Sequence, residues 1–118
     1  MAITNTQLTT TQLDALTVPA GKRYAVTNIL VCNNYDPSAG DAASHTANFD
    51  LHLIPNGQAL NNSITCVVRA LSLPAGETFT FDSERIVLDA GDKISFVAEP
   101  DAGSGNTDLS ATVSYLEV

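Results

Sequence analysis

The chain has 118 residues, of which 44% are hydrophobic and 15% are charged, and its net charge is −8. This length fits one domain with its own core, and the apolar fraction argues against a disordered tail. Only 5 basic residues stand against 13 acidic ones, and they are scattered, whereas phosphate binding needs clustered Lys and Arg. We therefore expect one domain over residues 1–118 and no nucleic-acid partner.

The sequence gives no sign of a membrane or secretory segment. No apolar run approaches the roughly 20 residues of a spanning helix. The start, Met1 to Asn5, lacks the basic region and apolar stretch of a signal peptide. We expect a protein that is made in a cytoplasm and has no membrane partner. Cys32 and Cys66 lie in apolar β-type runs, which predicts buried, reduced thiols, with a disulfide across paired strands as the alternative.

Short β-branched runs alternate with turn signals along the whole chain. Turns are predicted at Pro19–Gly21, Pro55–Gly57 and Pro74–Gly76. The predicted strands are Ile3–Thr10, Asp14–Val18, Arg23–Asn33, Asn48–Ile54, Ser63–Leu73, Thr78–Phe81, Arg85–Leu88, Lys93–Ala98 and Leu109–Val118. Turns recur at roughly ten-residue spacing and no stretch keeps a helical period. The sequence therefore predicts an all-β fold, an antiparallel β-sandwich of jelly-roll type in a single domain.

Two segments are candidates for contacts with a partner. Residues 1–11 are polar and Thr-rich, so they form either an edge strand of their own sheet or an arm that adds a strand to a neighbour's sheet. The segment Asn34–Thr46 is a long loop by composition, and long loops in compact domains are often functional. The candidate contact residues are Ile3, Thr4, Asn5, Tyr35, Asp36 and His45.

No residue pattern supports catalysis or a cofactor. His45 in the loop and His52 on the polar side of an alternating strand are predicted to be solvated surface histidines, and no serine lies in a Gly-x-Ser-x-Gly motif. Two carboxylate groups are alternatives for a calcium site, but neither has the spacing of a calcium loop. They are Asp36 with Asp41, and Asp82, Glu84, Asp89 and Asp92. We interpret both as turn acids and expect no enzyme activity, no cofactor and no metal.

Turn and strand motifs carry a family resemblance over most of the chain, except the loop Asn34–Thr46. The runs are Leu16–Tyr24, Thr27–Asn33, Phe49–Pro55, Leu73–Phe79, Arg85–Leu88, Gly91–Ile94 and Ala111–Val118. This pattern resembles small virion structural proteins of tailed phages, including marine and cyanobacterial phages. The resemblance implies one β-sandwich located in the virion and assembled in the host cytoplasm, with no catalytic residues to transfer.

Within that family the expected function is capsid decoration. The resemblance implies a cement protein, often a trimer, that binds the major capsid protein across joints between subunits. A tail, neck or fibre-attachment component, with tail proteins as partners, is the first alternative, and a host-binding head fibre also stays open. A carbohydrate-binding module is a further alternative, although the chain has no Trp and only 3 Tyr and 4 Phe for stacking on sugars.

Overall fold

The fold was obtained as a computed structural model, which describes residues 2–81, 86–100 and 107–118. Within these ranges almost every regular element is a strand. The elements are β1 (Ala2–Gln7), β2 (Leu13–Thr17), β3 (Tyr24–Asn33), a 3₁₀ turn (Ala42–His45), β4 (Ala47–Ile54), β5 (Cys66–Leu73), β6 (Thr78–Phe81), β7 (Ile86–Leu88), β8 (Lys93–Ala98) and β9 (Leu109–Glu117). No helix in the described part of the chain is long and apolar enough to cross a membrane.

The strands form two antiparallel sheets that pack face to face. The five-stranded sheet has the order β1-β9-β3-β6, with β7 also pairing with β3, and the four-stranded sheet has the order β2-β8-β4-β5. Strands adjacent in sequence mostly lie in different sheets, so the chain crosses repeatedly between the layers, as in a jelly roll. The predicted β-sandwich is confirmed.

The core lies between the sheets and comes from alternate residues of both. Phe49 and Phe96 are its largest fully buried side chains. Phe49 meets Phe79 of the opposite sheet edge-on, with ring centroids 5.6 Å apart. Such aromatic pairs add to the burial of apolar area that stabilises the sandwich. The same alternation turns a second set of side chains outward on each sheet.

The predicted turns end the strands where expected. Gly76, in the turn between β5 and β6, has a φ of 79°, a conformation that favours glycine. A Cβ at this position would also lie 2.7 Å from Cγ of Pro37. This turn therefore requires glycine for its backbone conformation and for its close contact with the loop.

Several boundaries differ from the prediction. β5 begins at Cys66 rather than Ser63, because the preceding residues form a turn closed by Asn61: Ser63 N–H donates to Asn61 Oδ1 at 2.8 Å. β1 ends at Gln7 rather than Thr10. Leu8 turns into the core there, and Thr9 O accepts a hydrogen bond from Ala98 N–H of the other sheet.

Candidate functional site

The outer face of the five-stranded sheet carries no charged side chain among the described residues. We call this surface the uncharged face. Its members are Ile3, Asn5 and Gln7 of β1, Ala25, Thr27, Asn28, Leu30 and Cys32 of β3, Thr78 and Thr80 of β6, Val87 of β7, and Ser110, Thr112, Ser114 and Leu116 of β9. The outer face of the four-stranded sheet differs, because it holds the ion pairs Lys93–Asp14 and Arg69–Asp50.

Apolar side chains are exposed on the uncharged face. Leu116, Ala25 and Val87 form one row across three neighbouring strands. Val87 is 53% exposed and Leu116 is 37% exposed, and Ile3 at the sheet edge is 64% exposed. An uncharged surface with apolar residues in register loses little charge solvation and gains burial energy when another surface covers it. The chemistry of this face is therefore suited to contact with another protein surface.

Hydroxyl and amide groups hold the rest of the face in place. The Thr27 and Ser114 hydroxyls lie 2.6 Å apart, and Thr112 Oγ1 donates to Asn5 Oδ1 at 2.8 Å. Asn28 Oδ1 is buried on this face and accepts no hydrogen bond from the described residues. The hydroxyl pairs fix side chains between strands, so the face is preorganised for contact.

β1 leaves one backbone edge of this sheet free. It pairs with β9 without a bulge from Ala2 to Gln7 and contains neither a charge nor a proline. The other long edge strands are interrupted: β2 has a register shift between Asp14 and Leu16, and β5 has Ala70 at a φ of 50° next to Arg69. Charges and bulges are the usual protection against strand addition. Of the long edge strands described, β1 alone lacks that protection.

The loop Asn34–Thr46 folds against the end of the sandwich. The Tyr35 and His45 rings stack with centroids 3.6 Å apart, and Tyr35 OH donates to Asp41 Oδ1 at 2.6 Å. That hydrogen bond lowers the pKa of Asp41 and raises that of Tyr35. Asp36 accepts from Ser38 N–H and Oγ, which lowers the Asp36 pKa and closes a turn.

The prediction of a solvated His45 is wrong. Its side chain is only 15% exposed, and Nδ1 lies 2.8 Å from Asp108 Oδ2. Nε2 lies 3.5 Å from Asp41 Oδ2. The two carboxylates and the stacked tyrosine hold the imidazole against the start of β9, an arrangement that requires long-range contacts.

The prediction of a solvated His52 is also wrong. Alternation places His52 on the outer face of its sheet, as expected, but the side chain is completely buried there. Its Nδ1 lies 2.9 Å from Thr65 Oγ1. Nε2 has no hydrogen-bond partner among the described residues. Burial lowers the pKa of His52.

The cysteines are free, and they lie in different sheets. Each is half-buried rather than fully buried as predicted. Cys32 belongs to the uncharged face of the five-stranded sheet. Cys66 lies in the four-stranded sheet, where it is paired with His52 on the neighbouring strand. Burial raises the pKa of the Cys66 thiol, which keeps it protonated at neutral pH.

Two of the carboxylates considered for calcium, Asp89 and Asp92, contact backbone N–H groups and a basic side chain. Asp92 accepts hydrogen bonds from the N–H groups of Asn56 and Asp89, and Asp89 pairs with Arg23 at 2.7 Å. Within the described ranges no three His, Cys, Asp or Glu side chains are grouped to hold a metal ion. Asp82 and Glu84 lie outside the described residues.

The structure separates the predicted contact residues into two places. Ile3, Thr4 and Asn5 lie on β1, and Ile3 is paired with Ser114. Tyr35, Asp36 and His45 lie at the other end of the sheet, where His45 meets Asp108. Ser114 and Asp108 are six positions apart along the chain, or about 20 Å of extended strand.

Sequence reasoning gave an edge strand as one of two alternatives for residues 1–11, and the structure pairs β1 with β9, but it missed most of the uncharged face. Ala25, Val87 and Leu116 belong to three different strands, and only the strand order makes them neighbours. The available signal was the absence of charge from alternate positions of these strands. No known protein-family model matches the chain, and no curated protein is significantly similar to it.

Proposed function

We propose that this protein is a structural component of a tailed-phage particle that decorates the capsid shell by binding across joints between capsid subunits. The observation that supports this function best is the uncharged face, with its row of Leu116, Ala25 and Val87, of which Leu116 and Val87 are exposed. The turn and strand motifs described above supply the phage context. The face supplies a surface suited to lasting contact with other proteins.

Decoration of this kind requires no chemistry beyond burial of surface. Each covered Å² of apolar area contributes about 25 cal/mol before the costs of association are subtracted. One copy then contributes modestly, and many copies on one shell together resist its expansion through multivalency. The net charge of −8 would repel packaged DNA, which suits a position on the outer surface.

Copy number in the particle tests the proposal directly. We expect quantitative mass spectrometry of purified particles to give a ratio to the major capsid protein near parity. A few copies per particle would contradict capsid decoration and favour a tail or neck position. Absence from particles would overturn the structural function and favour a carbohydrate-binding module, which glycan-array binding would then identify.

A pair of valine variants tests whether the uncharged face makes the contact. Val87 on that face is 53% exposed and Val67 on β5 is 47% exposed, so the two sites are matched in residue type and exposure. Val87→Lys should strongly reduce the number of copies bound to shells that lack the protein, because the charge must be desolvated. Val67→Lys should bind like the wild type. Equal binding by both variants would exclude the face.

A further inference from the structure

We propose that two copies of this chain associate through the free edge of β1, so that their five-stranded sheets join into one continuous antiparallel sheet. The partner is therefore a second copy of this chain, related by a two-fold axis. This association concerns the purified protein and does not depend on the phage function, so either can fail alone.

The pairing of β1 with β9 determines which backbone groups face outward. Leu8 N–H donates to Leu109 O at 2.9 Å, and the β1 register continues that pair without a shift. In an antiparallel ladder, hydrogen-bonded and non-hydrogen-bonded pairs alternate along the strand. The backbone N–H and C=O groups of Thr4 and Thr6 therefore point toward β9. The N–H and C=O groups of Ile3, Asn5 and Gln7 face the free edge.

One symmetric register, centred on a single residue, pairs all of these outward groups with the same groups of a second copy. A continuous sheet requires that residues opposite each other point to the same face. When Asn5 lies opposite Asn5 of the partner subunit, Ile3 lies opposite Gln7 of the partner subunit, and the reverse pair forms as well. Each of these pairs exchanges two backbone hydrogen bonds. All the outward amides of β1 are then satisfied.

Charge favours a second copy at this edge over contact elsewhere. Every copy carries −8, so most surfaces of two copies would bring like charges together. β1 and the uncharged face beside it hold no charged residue in the described part of the chain. Two acidic copies can approach there without opposing carboxylates. The exposed Ile3 side chain would also become partly covered by the partner strand.

A charge placed on the two-fold axis tests the register. Asn5→Asp adds one carboxylate opposite its copy, and its oxygen can still accept the hydrogen bond from Thr112. We expect the wild type to show a monomer–dimer equilibrium in sedimentation velocity, and Asn5→Asp to raise the dimer dissociation constant about tenfold. Asn34→Asp, at an exposed loop position, adds the same charge and should dimerise like the wild type.

Cross-linking provides a second test that does not depend on affinity. In the Cys32→Ser, Cys66→Ser background, Asn5→Cys should form a disulfide dimer on oxidation, because paired Cα atoms about 5.5 Å apart fit a disulfide. Gln7→Cys should not, since the two copies of residue 7 would lie about 13 Å apart along the strands. A monomer at all concentrations, a trimer, or equal cross-linking by both variants would overturn the proposal.

Discussion

His52 is a buried histidine whose ring nitrogens have different surroundings. Thr65 Oγ1 donates its proton to Asn61 O at 3.0 Å and accepts from Asn61 N–H at 3.0 Å. Because that hydroxyl proton is already used, His52 Nδ1 must donate to Thr65, which makes Nε2 the unprotonated nitrogen. Protonation would put a second N–H where no described residue accepts it. Burial lowers the pKa of His52, and the positive charge of Arg69 adds to that effect.

A lowered histidine pKa makes stability depend on pH in a defined direction. The unfolded chain binds a proton at His52 below its ordinary pKa of about 6.5, while the folded chain binds it only at a lower pH. The contribution of His52 to the free energy of unfolding should therefore have its full value above that pH. On acidification it should fall by up to about 1.4 kcal/mol per pH unit. Urea unfolding of the wild type and His52→Leu at several pH values checks this. If the difference between the two proteins stays constant with pH, the assignment is wrong.

At the scale of elements, alternation and turn residues were enough to predict the strands. Phe49, Leu51 and the residues that alternate with them defined β4 and its buried face directly from sequence. The contacts that bury His52 and His45 were not predictable, because they join Thr65 and Asp108 to positions 13 and 63 residues away. Sequence patterns describe neighbours within one strand, whereas both histidines depend on segments that return from elsewhere.

Asn33 anchors the loop Asn34–Thr46 to the sandwich. It is completely buried, and its Nδ2 donates to His45 O at 2.6 Å and to Leu73 O at 2.9 Å. Asn33→Asp keeps the shape but places an oxygen against both carbonyls, so we expect a loss of about 3 kcal/mol in the free energy of unfolding. Chemical denaturation measures it. The exposed neighbour variant Asn34→Asp should change stability by less than about 0.5 kcal/mol, and equal losses would refute the anchor.

At the scale of the whole molecule, the charge distribution is uneven. The outer face of the four-stranded sheet carries the Asp14–Lys93 and Asp50–Arg69 pairs, while the described residues of the uncharged face carry no ion pair. Net repulsion between copies of charge −8 therefore acts at long range, and the proposed contact itself holds no ion pair. These two properties give association through β1 a salt dependence opposite to that of a charged interface.

Added salt should strengthen the dimer. The Debye length falls from about 30 Å at 0.01 M to about 3 Å at 1 M ionic strength, which screens repulsion between acidic copies. No attraction at the interface is lost, so the dissociation constant should fall as NaCl rises in sedimentation experiments. Asn5→Asp should show a steeper dependence, because its added carboxylates face each other at the axis. If NaCl weakened the dimer, that result would indicate ion pairs at the interface and would exclude pairing through the uncharged β1 edge.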